Sequence, residues 1–496
     1  MEKLSQLEAV RHEKREKMIN RGVDPYPNRC ERTHCIETLH HNKAAYVEKE
    51  EKVYITGRIV ALRRQGKIGF MDIADESGRI QIFLKQNLLG EENYENFKLM
   101  DIGDFVQVHG VCFITQRGEY SIKADQIKML SKNLKPLPVV KEKQEDGVTK
   151  RYDEFADIEL RYRKRYLDLL LNPENKKIYK FRAEIIRQMR HYFDEKGFLE
   201  VETPILQTLY GGANARPFVT HHNTLDMKLY LRIATELYLK RLIVGGIEKV
   251  YEIGKNFRNE GMDRNHNPEF TALEVYQSYA DYHDMMDLTE DLFVHIGASV
   301  FDSDSIKFHE NLISLKKPWK RATMIDLIKE YTDFDASDFD ERKLRAYCYE
   351  HEIEYDKNDG PGKLITLIFD RFVESKLIQP TFVLDFPKEV SPLAKTKPGN
   401  PLLVERFELF INGIECANAF TELNDPIEQR KRLELQAKQR ELGDLEANLV
   451  DEDFLEALEY GMPPTGGLGI GLDRMIMLFT GQTSIKEVIL FPQMKV

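Results

Sequence analysis

The sequence predicts an α+β chain in which a small five-stranded β-barrel precedes a larger part mixing long amphipathic helices with strands. Three observations carry this reading. From residue 53 to 130 the apolar pattern has period two, with turn residues between the runs. Residues 131–157 then bring Pro136, Pro138 and a dense charged stretch, which is the composition of a linker. Beyond it the period becomes helical: Ile178, Phe181, Ile185 and Met189 share one face, and Gly197 falls where a C-terminal cap belongs.

At 496 residues the chain is long for a single core, which favours two or three domains. Its 72 basic and 83 acidic residues leave a net charge of −11, with 42% hydrophobic and 31% charged residues. That balance fits a folded, soluble protein and excludes wholesale disorder. It also excludes indiscriminate coating of nucleic acid, while leaving local basic patches open. No apolar run approaches the roughly 18 residues that span a bilayer. The N-terminus, with Glu2, Lys3, Glu8 and then Arg11 to Arg15, lacks the apolar stretch of a signal peptide. The cysteines (Cys30, Cys35, Cys112, Cys348, Cys416) are odd in number and scattered. His34 lies between the first two, but no second ligand pair follows at finger-like spacing, so a reducing, cytoplasmic setting is expected.

Residues 1–48 predict a basic helical extension. Leu4, Leu7 and Val10 fall on one face, Arg11, Lys14, Arg15 and Lys17 make a basic surface, and Pro25 and Pro27 end the helix. Residues 49–132 hold the barrel, with strands at 53–63, 68–74, 79–84, 104–112 and 120–130 and turns at Glu76-Ser77-Gly78 and Arg117-Gly118. The commonest barrel of this size that binds nucleic acid is the OB-fold. Arg58 and Arg63 lie on its first strand, Phe70 on the second and Gln81 on the third, and Glu119 opens the fifth. A ring that stacks a base, with amide and carboxylate groups to read its edge, suits single-stranded RNA; a core position for Phe70 is the competing reading. Residues 133–160 form the linker, and 161–496 the larger domain.

In the larger part, residues 250–258 and 269–277 read as two strands joined by a polar loop. Phe270, Glu274 and Tyr276 share one face of the second strand, and Leu273 and Val275 the other. A ring, a carboxylate and a phenol are poor core material, so this face belongs to a site or to solvent. Residues 404–410 and 414–420 are strands around Asn412-Gly413, the strongest two-residue hairpin signal. In that register Ile411 opposes Ile414, Phe410 faces Glu415 and Glu408 faces Ala417, so Glu408 and Glu415 are diagonal neighbours on one face. Two such carboxylates repel unless a cation lies between them, and hard oxygens suit Mg²⁺; exposed glutamates on a wet face are the alternative. Asn418, Phe420 and Glu422 alternate out of phase with Glu415, which predicts a bulge between Glu415 and Asn418. Asp425, Pro426 and Glu428 mark a helix start. The glycines from Gly466 to Gly471 precede an apolar helix without a phosphate-loop ending, and close ligand approach and tight packing explain them equally well.

Together these pieces resemble the class II aminoacyl-tRNA synthetases. Phe257-Arg258-Asn259-Glu260-Gly261 followed by His266-Asn267-Pro268-Glu269-Phe270-Thr271 is similar to their motif two. Gly469-Ile470-Gly471-Leu472-Asp473-Arg474 is similar to motif three, and Gly197-Phe198-Leu199-Glu200-Val201-Glu202-Thr203-Pro204 to the dimer-forming motif one. The order of motifs and the barrel in front match the subgroup that charges Lys, Asp and Asn. Within it, Gly211-Gly212-Ala213-Asn214-Ala215-Arg216-Pro217-Phe218, Ala234-Thr235-Glu236-Leu237-Tyr238 and Asn418-Ala419-Phe420-Thr421-Glu422 resemble the lysyl-tRNA synthetases. Thr235 replaces a proline often found there, and Asn265 stands where some relatives carry arginine.

The resemblance implies a catalytic domain with an antiparallel sheet flanked by helices, acting as a homodimeric, cytoplasmic ligase on ATP, L-lysine and tRNA(Lys) with Mg²⁺. Arg258 would contact the α-phosphate of ATP and Phe270 would stack on adenine, with Arg474 closing the other side; these two arginines are the expected catalytic residues. Glu260, His266 and Asn267 would complete the ATP shell, and Glu408 and Glu415 would hold the metal. Glu236 and Glu274 would answer the α-ammonium of lysine, Glu422 and Tyr276 its ε-ammonium, with Gly212, Asn418 and Phe420 lining the pocket. The barrel would read the anticodon through Arg58, Arg63, Phe70, Gln81 and Glu119. Three other readings are weighed against this one. A protein-modifying lysine ligase of the same fold lacks the barrel. A non-catalytic relative has normally lost arginines or metal carboxylates that are present here. Aspartate or asparagine specificity conflicts with Glu236 and Glu422.

Overall fold

The computed structural model describes residues 5–138, 141–145, 148–152, 155, 157–441 and 449–495. The chain forms two compact units, Met1–Ala156 and Asp157–Val496.

In the first unit, alternation of apolar and polar residues closes a barrel. β1 (Lys52–Gln65), β2 (Ile68–Ala74), β3 (Arg79–Lys85), β4 (Phe105–Ile114) and β5 (Tyr120–Ser131) pair in the order β1-β2-β3-β5-β4, the order of an OB-fold. Val53, Ile55, Ile59, Met71, Ile73, Ile82, Val106 and Ile122 point inward and are fully buried. β1 serves two neighbours: its first half pairs with β4 and its second with β2, and an extra residue at Val60 bends it between them. Gly110 sits where β4 presses on β5, and a Cβ there would overlap the Lys123 carbonyl oxygen.

The N-terminal helix Gln6–Asn20 is capped by Ser5 and Glu8. It differs from the sequence reading in three ways. Leu7 and Val10 are exposed, and Leu4 lies outside the described residues; Met18 is the residue that anchors the helix in the barrel core. Gly22 ends it in the left-handed region (φ 75°) before either proline is reached. Much of its basic surface is also engaged: Arg11 donates to Asn133 and the Ile102 carbonyl, Lys14 is 2.5 Å from Asp101 and Lys17 pairs with Glu13. Within the stretch of linker composition, β6 (Lys141–Glu145) and β7 (Val148–Tyr152) pair as an antiparallel hairpin.

After three helices, Ile158–Arg163, Arg165–Leu171 and Asn175–Glu195, the strands of the second unit start with β8 (Leu199–Glu200) and a small sheet of β9 (Leu206–Gln207), β10 (Val219–His222) and β11 (Met227–Leu231). Then come β12 (Lys249–Phe257), β13 (Glu269–Ser278) and the pair β14 (Ser305–Phe308) and β15 (Asn311–Ser314). β16 (Lys320–Thr323), β17 (Thr381–Leu384), β18 (Arg406–Ile411), β19 (Ile414–Thr421) and β20 (Thr465–Gly471) complete the set. The main sheet runs β16-β17-β18-β19-β20-β13-β12-β8 and is antiparallel except for one parallel pairing at each edge.

Three helices, Asn175–Glu195, Tyr282–Phe301 and Leu472–Thr480, share a core with one face of this sheet. Their Ile185, Met189, Phe193, Phe293, Met475 and Ile476 meet Tyr251, Leu273, Val275, Leu409 and Ile470, and Phe193 stacks on Tyr251 at 4.8 Å. The first helix ends at Gly197 in the left-handed region (φ 75°). Residues 290–380, on which the sequence pattern is least informative, include three helices, Met324–Thr332, Glu341–Glu350 and Pro361–Phe372, around a second core of Leu327, Leu344, Leu364 and Ile368. The fold is therefore α+β, an OB barrel followed by an antiparallel sheet flanked by helices. Among the described residues no helix is long and apolar enough to cross a membrane.

Candidate active site

The face of the sheet away from the main core carries a cavity of about 420 Å³ over β13, β20 and β19. Phe270, Glu274 and Tyr276 line it from β13, while Leu273 and Val275 are buried in the core behind, as period-two alternation requires. Asn418, Phe420 and Glu422 reach the same cavity as Glu415 because β19 bulges: Phe410 opposes Glu415 but Leu409 opposes Ala417, leaving Cys416 as the extra residue. The bulge also changes the register, so that Glu408 faces Asn418 and not Ala417.

One end of the cavity is acidic and dry. Glu236, Glu274, Tyr276 and Glu422 are all buried around it. Thr235 donates its N–H to Glu274 Oε1 (3.2 Å), and the Tyr276 hydroxyl donates to Glu274 Oε2 (3.4 Å). Burial, then the neighbouring Glu236, raises Glu274 to about 6. Burial raises Glu422 as well, against the pull of Lys240. Lys240 lies 2.5 Å from Glu236 Oε1 and ion-pairs with Glu422 Oε2. Glu422 Oε1 is buried without a hydrogen-bond partner. Burial opposes the charge of Lys240, but the two carboxylates outweigh it and hold the ammonium above the usual lysine range. Gly212 adopts φ 86° beside Glu236, and Gly467 leaves room for Glu422, since a Cβ there would overlap Glu422 Oε1 and stand 2.6 Å from the Tyr276 ring.

The other end presents cations and a ring. The Arg258 guanidinium lies 5.1 Å over Phe270, and its Nε is buried without a partner. Burial pulls Arg258 below the ordinary arginine range, in spite of Glu260 and Glu415 nearby. Arg474 donates through Nη1 to the carbonyl and carboxylate of Glu415 (2.9 and 3.1 Å), and its Nη2 is 3.0 Å from His266 Nε2. Asn267 is buried with its amide on the Glu269 carbonyl, and Glu260 stands exposed at the rim. Behind this end, Arg182 grips Asp473 (2.5 Å) and Thr271 (3.0 Å), and Asp473 accepts the Thr271 N–H, fixing the neighbours Phe270 and Arg474.

Glu408 is the one residue of the expected ATP and lysine shells that does not line the cavity. It sits behind Glu415 with Oε1 held by Arg406 at 2.6 Å, and burial followed by repulsion from Glu415 raises its pKa. The hydrogen bonds engage one oxygen of each carboxylate, so the donor set fits a hard divalent ion completed by phosphate oxygens.

On the barrel, Arg63, Phe70, Gln81 and Glu119 line one open groove. Arg58 does not join them: at the bend of β1 it lies 4.1 Å over Phe105 and donates to the Gly103 carbonyl. The groove adds Phe83, Phe113, Arg79 and Arg117, with the three rings in series at 5.4 and 6.0 Å. Lys240, Arg406 and these two rings are what sequence reasoning missed. Lys240 stands four residues after Glu236, the spacing of a helical ion pair, and Arg406 shares a strand face with Glu408, so both carried a readable signal.

The family model for class II tRNA synthetases (D, K and N) matches residues 157–495, and that for the OB-fold nucleic acid binding domain matches residues 53–130. The chain is 49% identical to the lysine–tRNA ligase of Bacillus subtilis (strain 168), covering 100% of this chain and 98% of that one. It is 51% identical to that of Thermoanaerobacter sp. (strain X514), over 100% and 97%. To that of Shouchella clausii (strain KSM-K16) it is 50% identical, over 99% and 96%. The chain thus belongs to the class II tRNA synthetases of the D, K and N group.

Gly467→Ala is expected to destabilise the second unit by about 1–3 kcal/mol, because its Cβ must displace Glu422 and the Tyr276 ring. Urea unfolding measures this; unchanged stability would show that the pocket has slack there.

Proposed function

We infer that the chain is a lysine–tRNA ligase that activates L-lysine with ATP and transfers it to tRNA(Lys). The observation that carries this reading is the polarity of one cavity: Glu236, Glu274 and Glu422 at one end, Arg258, Arg474 and Phe270 at the other. An amino acid with two ammonium groups and one carboxylate fits across such a field, its carboxylate aimed at the nucleotide end. Glu236 and Glu274 take the α-ammonium, and Glu422 with Tyr276 the ε-ammonium, while Gly212, Asn418 and Phe420 shape the walls. Phe270 stacks on adenine, Arg258 holds the α-phosphate, and Arg474 exchanges its contacts with Glu415 and His266 for the ring and the γ-phosphate. Glu260, His266 and Asn267 complete the ATP shell. Glu408 and Glu415 hold Mg²⁺, which supplies charge neutralisation to the phosphates.

The lysine carboxylate oxygen attacks the α-phosphorus in line, the bond to the β-phosphate bridging oxygen breaks and pyrophosphate leaves. The terminal ribose hydroxyl of tRNA then attacks the lysyl carbonyl, and AMP leaves. Positioning and charge stabilisation carry both steps, so no side chain is assigned as general base. The barrel groove receives the anticodon loop, its bases stacking on Phe70, Phe83 and Phe113. Homodimer formation through motif one is supported by exposed apolar side chains in and beside that segment: Leu199 (51% exposed), Leu206 (50%) and Val219 (57%). Free cysteines throughout the described residues accord with a cytoplasmic setting.

Lysine-dependent ATP–pyrophosphate exchange, run beside aspartate, asparagine, arginine and ornithine, tests the reading; absence of exchange with lysine overturns it. Glu422→Gln should raise the KM for lysine about 10–100-fold through loss of a charge-assisted contact. The KM for ATP should barely move; equal effects on both substrates would remove Glu422 from the lysine site. Phe70→Ala should weaken tRNA about 5–100-fold through a lost stacking platform. Charging kinetics measure it, with tRNA-free exchange as the control. Sedimentation equilibrium should give twice the chain mass.

A further inference from the structure

Lys240 is fully buried on the helix Glu236–Val244, beside the ring of Phe454 at 5.8 Å, and is not among the cavity's lining residues. Its ammonium bridges Glu236 Oε1 and Glu422 Oε2. The second oxygens are placed against glycines that line the cavity. Glu236 Oε2 is 3.8 Å from the place of a Cβ on Gly212, and Glu422 Oε1 fills the place of a Cβ on Gly467. Glu422 Oε1 is also buried with no hydrogen-bond partner. Each carboxylate therefore has one oxygen turned to Lys240 and one turned to the cavity. With Glu274, three carboxyl groups of the pocket stand against one internal ammonium, an acidic excess that suits a substrate bringing two ammonium groups.

We propose that Lys240 is a positioning residue for lysine, an internal cation that bridges Glu236 and Glu422 and presents one oxygen of each to the substrate. The proposal rests on the assignment of those two glutamates to the lysine site. The other charged and titratable groups facing the cluster are Glu274 and Tyr276 from β13, Glu252 from β12 with its partner Arg232, and Arg258 at the end of β12. None of them touches both Glu236 and Glu422 as Lys240 does. Without Lys240 the crowded carboxylates hold a proton to higher pH, since an opposite charge at contact has been removed and like charges remain. A protonated carboxyl no longer answers an ammonium, so lysine binding is lost first on the acid side.

The test is the pH profile of lysine-dependent exchange by the full chain carrying Lys240→Met or Lys240→Arg. In Lys240→Met the acid limb of kcat/KM for lysine should move up by about one pH unit or more, with lysine KM recovering toward the parent value at high pH. The KM for ATP and its own profile should stay in place. Lys240→Arg keeps the charge and should leave the limb where it is. An unmoved limb in Lys240→Met, a limb displaced as far by Arg as by Met, or equal losses for both substrates at every pH overturns the proposal. Glu422→Gln run alongside separates the two ideas. If it impairs lysine while Lys240→Met leaves the profile unmoved, the inference alone falls; if it leaves lysine unaffected, the glutamate assignment falls and the inference with it.

Discussion

One extra residue in β19 decides which side chains can meet. A regular strand sends odd and even positions to opposite faces, so Glu415 and Glu422 would lie on opposite sides of the sheet. The bulge at Cys416 breaks the count once. Glu415 then stays with Arg474 at the nucleotide end, and Asn418, Phe420 and Glu422 carry the same face into the acidic end. The Cys416 side chain turns into the core with its Sγ on the Ile414 carbonyl, which stabilises the break. Both halves of the cavity are joined through this irregularity.

The sheet beneath divides its labour by face. Behind it, Leu273, Val275, Leu409 and Ile470 bury against three helices, and that apolar area supplies the stability that a face of carboxylates and arginines cannot. In front, β20 offers little but backbone: Gly467, Gly469 and Gly471 make a low strip between β13 and β19 on which taller side chains from both neighbours converge. The Arg182–Asp473–Thr271 clamp fixes the nucleotide end of the sheet to the core helix Asn175–Glu195.

Much of this was legible because burial on one face writes period two directly into the chain. The five barrel strands, the β12–β13 pair and the Asn412-Gly413 hairpin fall within two residues of their expected positions, and the bulge follows from a clash of phases visible in the sequence. What was not legible depends on tertiary neighbours. Glycines are poor strand formers, and Gly466 to Gly471 become a strand only because β13 and β19 bracket them. A lysine in a helix reads as solvated, yet Lys240 is buried because two carboxylates distant in sequence from one another close over it. Leu7 and Val10 obey helix periodicity but find no surface to cover, whereas Met18 does. Arg58 alternates like a groove residue and is taken instead by Phe105 at the bend in β1.

Thr235 stands where the family resemblance leads one to expect proline, and its backbone N–H reaches Glu274. Proline has no such donor. The chain therefore holds a native reporter within its own pocket. The chemical shift of the Thr235 amide records whether Glu274 is ionised, so nuclear magnetic resonance on the nitrogen-15-enriched chain can follow the charge of this buried carboxylate with no residue replaced.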